Sequence, residues 1–394
     1  MKILLINAVC GVTSTGRICG DIADLAERAG HECKIAYARG NVPERYKKYA
    51  MKFGNTADVY AHALLSRLSG KTGFYSLQST KKLIRQIEEY NPDVIHLHNI
   101  HGYYINIKVL FSYLKRAKKP VVWTFHDCWP FTGQCTYFDF SGCEKWKTKC
   151  ENCTLIHEYP QSFIDRSSKN YREKLEIFNS IDNIHIVTPS KWLAELVKQS
   201  FLNKHSVHVI PNGVDLSVFS PKANAFKNKH GLENKKILLG VANIWAARKG
   251  ISDLFKLNDM LDEQYKLVLV GDLKGQSVPE NVLYIPHTDS VEELAEIYTS
   301  ADFFVNPTYE DNFPTTNLES LACGTPVLTY KTGGSPEAIT EDCGISVEKG
   351  DVNALAEAVK TMQFSSEACL ENSRKYDKNV CFDKYIKLYE ELVR

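Results

Sequence analysis

Residues 303–327 read FFVNPTYEDNFPTTNLESLACGTPV. The run Phe303–Asn306 has the length and composition of a buried strand. A polar loop follows, then a helical segment leading into Ser320-Leu321-Ala322-Cys323-Gly324, and Pro326–Thr329 is a second strand. Strand, loop, helix, turn, strand is the repeating unit of a parallel sheet. The loop sits at a strand's carboxyl end, where the helix N-terminus also points its N–H groups. That combination suits a diphosphate. Asp311 and Glu319 stand eight positions apart here. The loop acid is placed for the hydroxyls of a neutral sugar, the helix acid for those of a ribose. Plainer readings stand beside these. Thr316-x-x-Glu319 matches a capping box, which needs no ligand. Glu310 reads as a solvated loop acid.

The same alternation fills the rest of the chain. Apolar runs at Lys2–Asn7, Cys33–Ala38, Val94–His98, Val121–His126 and His185–Thr188 form one group. A second comprises Val207–Ile210, Lys236–Val241, Lys266–Val270, Val282–Ile285, Phe303–Asn306, Pro326–Thr329 and Gly344–Val347. Nearly continuous Val, Ile and Leu suit strands covered on both faces by helices. Helical patterns such as Ile18–Arg28, Ser190–Gln199 and Glu292–Thr299 lie between them. The turn Pro211-Asn212-Gly213-Val214-Asp215 comes just after the first group. The expectation is an α/β protein of two doubly wound, Rossmann-like domains, 1–205 and 206–375. The last helix, Tyr376–Arg394, has no strand after it and can pack on either domain, including a return to the first.

Composition removes several classes. The chain has 394 residues, with 44% hydrophobic and 24% charged, ordinary for a globular protein and unlike a disordered one. Lys and Arg total 48 against 47 acids, a net charge of +1, so no nucleic-acid partner is expected. No run approaches the 18 apolar residues of a membrane-spanning helix. The short run Ile3–Ile6 after Met1-Lys2 lacks the features of a signal peptide, so a cytoplasmic location is expected.

Further candidates lie at other strand ends. Arg248-Lys249-Gly250 follows the strand Lys236–Val241. Fixed cations there would stabilise the charge that develops on a diphosphate leaving group. The alternative, an exposed basic pair at a helix start, runs against the helix dipole. Gly11, Gly16 and Arg17 follow the first strand. Glycine allows close backbone approach to a phosphate, but the spacing does not match Gly-x-Gly-x-x-Gly and also fits a plain βα loop. His96 and His98 share one strand face by the period of two, with His101 nearby.

Two Rossmann-like halves, the Asn-Gly-Val-Asp turn at 212–215, and an acid-x7-acid pattern followed by Ser-Leu-Ala-Cys-Gly-Thr-Pro-Val resemble the family 4 retaining glycosyltransferases of GT-B fold. His96-Leu97-His98-Asn99-Ile100-His101-Gly102 and Trp123-Thr124-Phe125-His126-Asp127-Cys128-Trp129-Pro130-Phe131-Thr132-Gly133 resemble the branch that builds capsular, exopolysaccharide or colanic-acid-type repeat units. The resemblance implies a GT-B fold whose two domains face a cleft. It implies transfer of a sugar from a nucleoside diphosphate sugar to a saccharide or lipid-linked acceptor, with retention and without a catalytic metal. It makes Lys249 the phosphate-binding lysine, closes the Gly11–Arg17 loop over donor or acceptor, and places His126 beside the donor sugar as a substrate-orienting group. Asn312, Phe313, Pro314, Thr315 and Thr316 complete the donor loop. The chain departs from the family pattern where Asp311-Asn312-Phe313-Pro314 replaces Glu-Gly-Phe-Gly, so Glu310 and Asp311 are both candidates for the first acid. It departs again at Asn243, where an Arg is usual, leaving Arg248 as the second cation. A nucleotide-sugar epimerase and a non-catalytic nucleotide-sugar-binding subunit are the alternatives.

Two segments stand outside that reading. Cys135, Cys143, Cys150 and Cys153 follow Cys-x7-Cys-x6-Cys-x2-Cys, and the last pair has zinc-knuckle spacing. A structural Zn²⁺ site, free thiols and disulfides are the three readings, the last disfavoured in a reducing compartment. Tyr104–Lys119 mixes Ile105, Ile107, Val109, Leu110, Phe111 and Leu114 with Lys108, Lys115, Arg116, Lys118 and Lys119. It reads as a peripheral contact with the inner face of the cytoplasmic membrane or, alternatively, as a helix packed on the sheet with a solvated basic end.

Overall fold

The computed structural model describes residues 1–223 and 225–394. The chain forms two compact units, Met1–Pro211 with Phe382–Arg394, and Asn212–Cys381.

The first unit holds a seven-stranded sheet of β1 (Lys2–Ile6), β2 (Glu32–Tyr37), β3 (Ala50–Lys52), β4 (Val94–Leu97), β5 (Val121–Thr124), β6 (Ile184–Thr188) and β7 (Ser206–Val209). The order is β3-β2-β1-β4-β5-β6-β7, and every pair is parallel. Around it lie α1 (Thr13–Arg28), α2 (Thr56–Ser69), α3 (Leu77–Tyr90), α4 (Ile107–Ala117), α5 (Ser167–Phe178) and α6 (Lys191–Gln199). The strand order reverses between β1 and β4. In such sheets the loops at the carboxyl ends beside that switch form the ligand crevice.

The packing of α4 shows how sequence becomes position. Asn106 caps it, its side chain accepting from the Val109 N–H at 3.1 Å. Ile107, Leu110, Phe111 and Leu114 follow the helical period and are all buried. Each contributes about 1.5–3 kcal/mol by leaving water. The helix stops at Lys118, which is left-handed at φ 52°. Ile105, Ile107, Leu110, Phe111 and Leu114 of Tyr104–Lys119 are therefore core, with Val109 half-buried, which agrees with a helix packed on the sheet. Lys108, Lys115 and Arg116 remain exposed.

The second unit has a six-stranded sheet: β8 (Lys236–Ile244), β9 (Tyr265–Asp272), β10 (Leu283–Ile285), β11 (Phe303–Asn306), β12 (Val327–Tyr330) and β13 (Gly344–Val347). Its order is β10-β9-β8-β11-β12-β13, again all parallel. Its helices are α7 (Phe226–Lys229), α8 (Ile251–Asp259), α9 (Val291–Ser300), α10 (Thr315–Ala322), α11 (Val352–Thr361), α12 (Ser366–Ser373) and the start of α13 (Lys378–Val393). Here the switch lies between β8 and β11.

Two expected boundaries move. The run at 207–210 belongs to the first sheet, because β7 pairs in parallel with β6 from His185↔Ser206 to Thr188↔Val209. The divide therefore falls after Pro211 and not after 205. The return to the first unit begins at Phe382, not at Tyr376. Val214 explains the delay. Its N–H donates to the Tyr376 carbonyl at 2.8 Å, its carbonyl accepts from Lys378 N–H at 2.9 Å, and Lys378 Nζ pairs with Asp215 at 2.6 Å. Beyond that anchor α13 buries Tyr385 and Tyr389 in the first unit.

Candidate functional site

In the second unit the switch between β8 and β11 is closed by side chains from both. After β8 the chain makes a single 3-10 turn, Ala247–Lys249, then Gly250 at φ 72°. A Cβ on Gly250 would stand 2.0 Å from the Pro307 carbonyl oxygen, so only glycine allows this turn to lie against the β11 loop. Tyr309 N–H donates to the Arg248 carbonyl at 2.7 Å. Arg248 Nη1 donates to the Glu310 carbonyl at 3.0 Å. Lys249 Nζ pairs with Asp311 Oδ2 at 2.5 Å, both side chains about one-fifth exposed. The two cations and the two candidate acids thus form one cluster, in which Asp311 holds Lys249 and Glu310 is buried. Asn243 is exposed on the last residues of β8.

The donor loop then enters α10. Pro314 is its N-cap, with no side-chain cap. Thr315 and Thr316 occupy its first turn, whose N–H groups lack carbonyl partners in the ordinary helix ladder. Thr316 lies two residues past the N-cap, so the capping-box reading fails. Glu319 instead accepts from the fully buried Tyr298 hydroxyl at 3.2 Å. Phe313 is core, ring against Tyr376, and its carbonyl accepts from Asn212 Nδ2 at 3.2 Å. Asn312 is buried too.

Several supporting residues carry no sequence signal. Asn306 Nδ2 donates to Asn317 Oδ1 at 2.8 Å, and Asn317 Nδ2 donates to Ser335 Oγ at 3.1 Å, tying β11 to α10. Asp253 is 2% exposed. It accepts from Tyr309 Oη at 2.5 Å and Tyr330 Oη at 2.8 Å, anchoring the residue before Glu310.

In the first unit the histidines make a buried network. His98 Nδ1 is hydrogen-bonded to His126 Nε2 at 3.0 Å. His96 pairs with Tyr389 Oη at 2.6 Å and Thr124 Oγ1 at 2.7 Å. His101 Nε2 meets Asp127 Oδ2 at 2.7 Å. Burial pulls His126 down to about 4, with Asp127 opposing it, and burial holds His96 and His98 well below the usual histidine value. These three rings are neutral at physiological pH. Burial alone would raise Asp127, but His101 beside it and the Trp129 N–H hold it below the usual carboxylate value. The three motif histidines thus go to three different partners. The loop after Asp127 rests on Lys174, which is 0% exposed. Its Nζ donates to the Trp129 and Thr132 carbonyls at 2.7 and 3.0 Å. Burial drops this lysine to about 7.

The glycine segment is partly reassigned. Gly11 lies in the loop at φ 72°, where a Cβ would stand 2.3 Å from the Tyr46 ring. That contact alone requires a glycine. Gly16 and Arg17 are in α1, which starts at Thr13, so they are helical and not loop residues. Gly16 is buried and Arg17 exposed.

Cys135, Cys143, Cys150 and Cys153 are free thiols lining one cavity of about 260 Å³. Among the described residues, no group of three or more His, Cys, Asp or Glu side chains is arranged to hold a metal ion. As placed, the four thiols do not fit a tetrahedral zinc site, and the loop is ordered instead by Phe131, Phe138 and Trp146 packed ring on ring.

Comparison with known proteins agrees with this geometry. Sucrose-phosphate synthase from Thermosynechococcus elongatus superposes with a TM-score of 0.72 at 16% identity, covering 99% of this chain and 98% of that one. Anabaena HepE, solved with UDP and glucose, gives 0.68 at 15% identity, covering 99% and 100%. The fold is GT-B. WcaC of Escherichia coli (strain K12), named for colanic acid biosynthesis, is 24% identical over 372 residues, 91% of this chain and 90% of that protein. A Campylobacter jejuni N,N'-diacetylbacillosaminyl-diphospho-undecaprenol alpha-1,3-N-acetylgalactosaminyltransferase is 23% identical over 51% of this chain and 58% of that protein. The profile of Glycosyl transferases group 1 matches residues 222–379. That of Glycosyltransferase Family 4 matches residues 15–218, more than half of the chain, and the chain belongs to this family.

Proposed function

We propose that this glycosyltransferase moves a sugar from a nucleoside diphosphate sugar, with retention at the anomeric carbon, to a saccharide or lipid-linked acceptor in bacterial surface polysaccharide assembly. The observation that carries the reading is the cluster of Arg248, Lys249, Glu310 and Asp311 at the β8–β11 switch, beside the uncapped start of α10. Cations and helix N–H groups suit a diphosphate. Glu319, held by Tyr298, suits the ribose. In the first unit His126 is a neutral, hydrogen-bonding group suited to orienting a substrate.

The retaining chemistry rests on the family resemblance. The bond from the anomeric carbon to the diphosphate oxygen breaks. The acceptor oxygen bonds to that carbon on the same face, and its proton passes to the departing phosphate oxygen. Lys249 and Arg248 stabilise the charge on the leaving group, so no protein base is needed. The acceptor class follows the relatives named for colanic acid and for a diphospho-undecaprenol substrate.

The test has two stages. A thermal-stability screen against UDP, GDP and ADP sugars should single out one donor. Nucleoside diphosphate release should then rise with lipid-diphosphate saccharide acceptors. Release unchanged by any acceptor, with the donor sugar epimerised, would replace transfer by epimerisation.

A further inference from the structure

The crevice of the first unit gathers polar groups from the ends of β1, β2 and β4 that the donor reading does not use. Arg39 follows β2, and its N–H donates to the Ala8 carbonyl beyond β1 at 3.2 Å. Its side chain is half-buried and, among the described residues, makes no ion pair and no hydrogen bond. Holding a cation partly out of water with no acid beside it costs stability, which a ligand can offset. Gly102 follows β4 with φ 96°. A Cβ on it would stand 3.4 Å from Arg39 Nη2, 3.5 Å from Tyr159 Oη and 3.8 Å from Ala8 Cβ. The glycine thus leaves a cradle that Arg39 and Tyr159 flank.

The polarity of Tyr159 is set from behind. Asp127 Oδ1 accepts from the Trp129 N–H at 2.9 Å, and Oδ2 faces His101 Nε2 at 2.7 Å. A carboxylate only accepts, so the His101 proton sits on Nε2. The neutral ring has that one N–H and keeps a lone pair on Nδ1, which lies 3.3 Å from Tyr159 Oη. The Tyr159 hydroxyl therefore donates inward, and its oxygen is left to accept from the crevice side. Tyr159 is 44% exposed, its ring set edge to face with His101 and Tyr103 at 5.8 and 5.9 Å between centroids. Arg39 can only donate. One donor and one acceptor flanking a glycine match a hydroxyl group, which does both. An oxyanion would meet the Tyr159 lone pairs, and an ammonium would meet Arg39. An exposed aromatic ring beside such a pair suits the C–H face of a sugar.

We propose that Arg39, Gly102 and Tyr159 form a subsite for a hydroxyl of a neutral saccharide, with His101 and Asp127 as positioning residues that fix the direction of the Tyr159 hydrogen bond. Within the proposed transfer, on which this role rests, the saccharide is the sugar of the acceptor. The binding itself is tested apart from transfer, with no donor present.

The full chain is titrated with the methyl α-glycosides of glucose, galactose, mannose and fucose and followed by saturation-transfer NMR. At least one glycoside should bind. Its affinity should fall about three- to tenfold in Tyr159→Phe and at least as far in Arg39→Ala. It should persist in Asp311→Asn, which separates this subsite from that of the donor sugar. His101→Gln keeps a donor for Asp127 but offers no acceptor to Tyr159, and should match Tyr159→Phe. Circular dichroism should confirm an unchanged fold in each variant. Nitrogen NMR of the His101 ring should place its proton on Nε2. Binding of none of the four glycosides, wild-type affinity in Arg39→Ala and Tyr159→Phe, or a His101 proton on Nδ1 overturns the proposal. Displacement of the glycoside by inorganic phosphate in Lys249→Ala would give the site to an oxyanion, and overturns it as well. In transfer, Tyr159→Phe should raise the acceptor KM by the same factor and leave the donor KM unchanged. Glycoside binding that depends on Arg39 and Tyr159, in a protein that releases no nucleoside diphosphate with any acceptor, keeps the subsite and removes the transferase reading.

Discussion

Lys249 Nζ stands 2.5 Å from Asp311 Oδ2, and this one ion pair joins the turn after β8 to the loop after β11. The cation proposed for the donor diphosphate is therefore held by an acid proposed for the donor sugar. Both side chains are about one-fifth exposed, so the pair is only partly screened by water.

That pairing predicts opposite effects for its two members. Lys249→Ala removes a charge-assisted contact worth about 1.5–3 kcal/mol, so kcat/KM should fall roughly 10–100-fold in a folded protein. Asp311→Asn leaves Lys249 less neutralised. Calorimetry should then show tighter binding of the nucleoside diphosphate alone, while sugar transfer drops. Full transfer activity in folded Lys249→Ala would remove it from the donor site.

Tyr298 is the buried support of Glu319. Tyr298→Phe keeps the ring and deletes the hydroxyl, a loss of about 0.5–1.5 kcal/mol for a single hydrogen bond. The donor KM should rise a few-fold with kcat nearly unchanged. Steady-state kinetics at varied donor decides it, and an unaltered donor KM would leave Glu319 without a ribose role.

His126 is drawn down to about 4 by burial, against an ordinary value of 6.5. Its neutral form should persist down to about pH 5, so transfer should show no limb at the usual histidine value of about 6.5. A limb near pH 6.5 that disappears in His126→Ala would contradict the neutral orienting role. For stability the sign follows from the depressed value. Between about pH 4 and 6.5 the unfolded chain binds the proton and the folded chain does not, so the fold gains stability as pH rises across that window.

Lys174 gives the same sign in a different window. Burial places it at about 7, against about 10.4 in an unfolded chain. The penalty of holding it charged is complete below about pH 7 and is relieved as pH rises towards about 10. Denaturant midpoints measured across that interval should climb, and Lys174→Met should remove this contribution. The variant should also be less stable by about 1–3 kcal/mol, because the Trp129 and Thr132 carbonyls lose their donor.

The parallel sheets were readable because strands such as Phe303–Asn306 and Val121–Thr124 are short apolar runs between helices. The cations and acids at their carboxyl ends were readable as strand-end residues, and the crossover that sets β11 beside β8 brings Lys249 and Asp311 together. What misled was local. Strand β7 looks like any apolar run, and only its pairing with β6 assigns it to the first sheet. Thr316-x-x-Glu319 satisfies a capping box in one dimension, but the N-cap is Pro314, two residues before Thr316. Lys174, Tyr298 and Asp253 gave no signal, because a side chain's value there depends on partners 21 to 77 residues away.

The last helix sets a timetable for biosynthesis. Tyr385 and Tyr389 close over Thr124 and His96 inside the first unit, yet they lie at the far end of the chain. Domains usually mature in the order in which they emerge during translation. Here the unit that emerges first is finished last, waiting with its histidine network unsealed until the segment Phe382–Arg394 has emerged. A truncation just after Cys381 would therefore damage the oldest part of the nascent protein and leave the younger unit, Asn212–Cys381, whole.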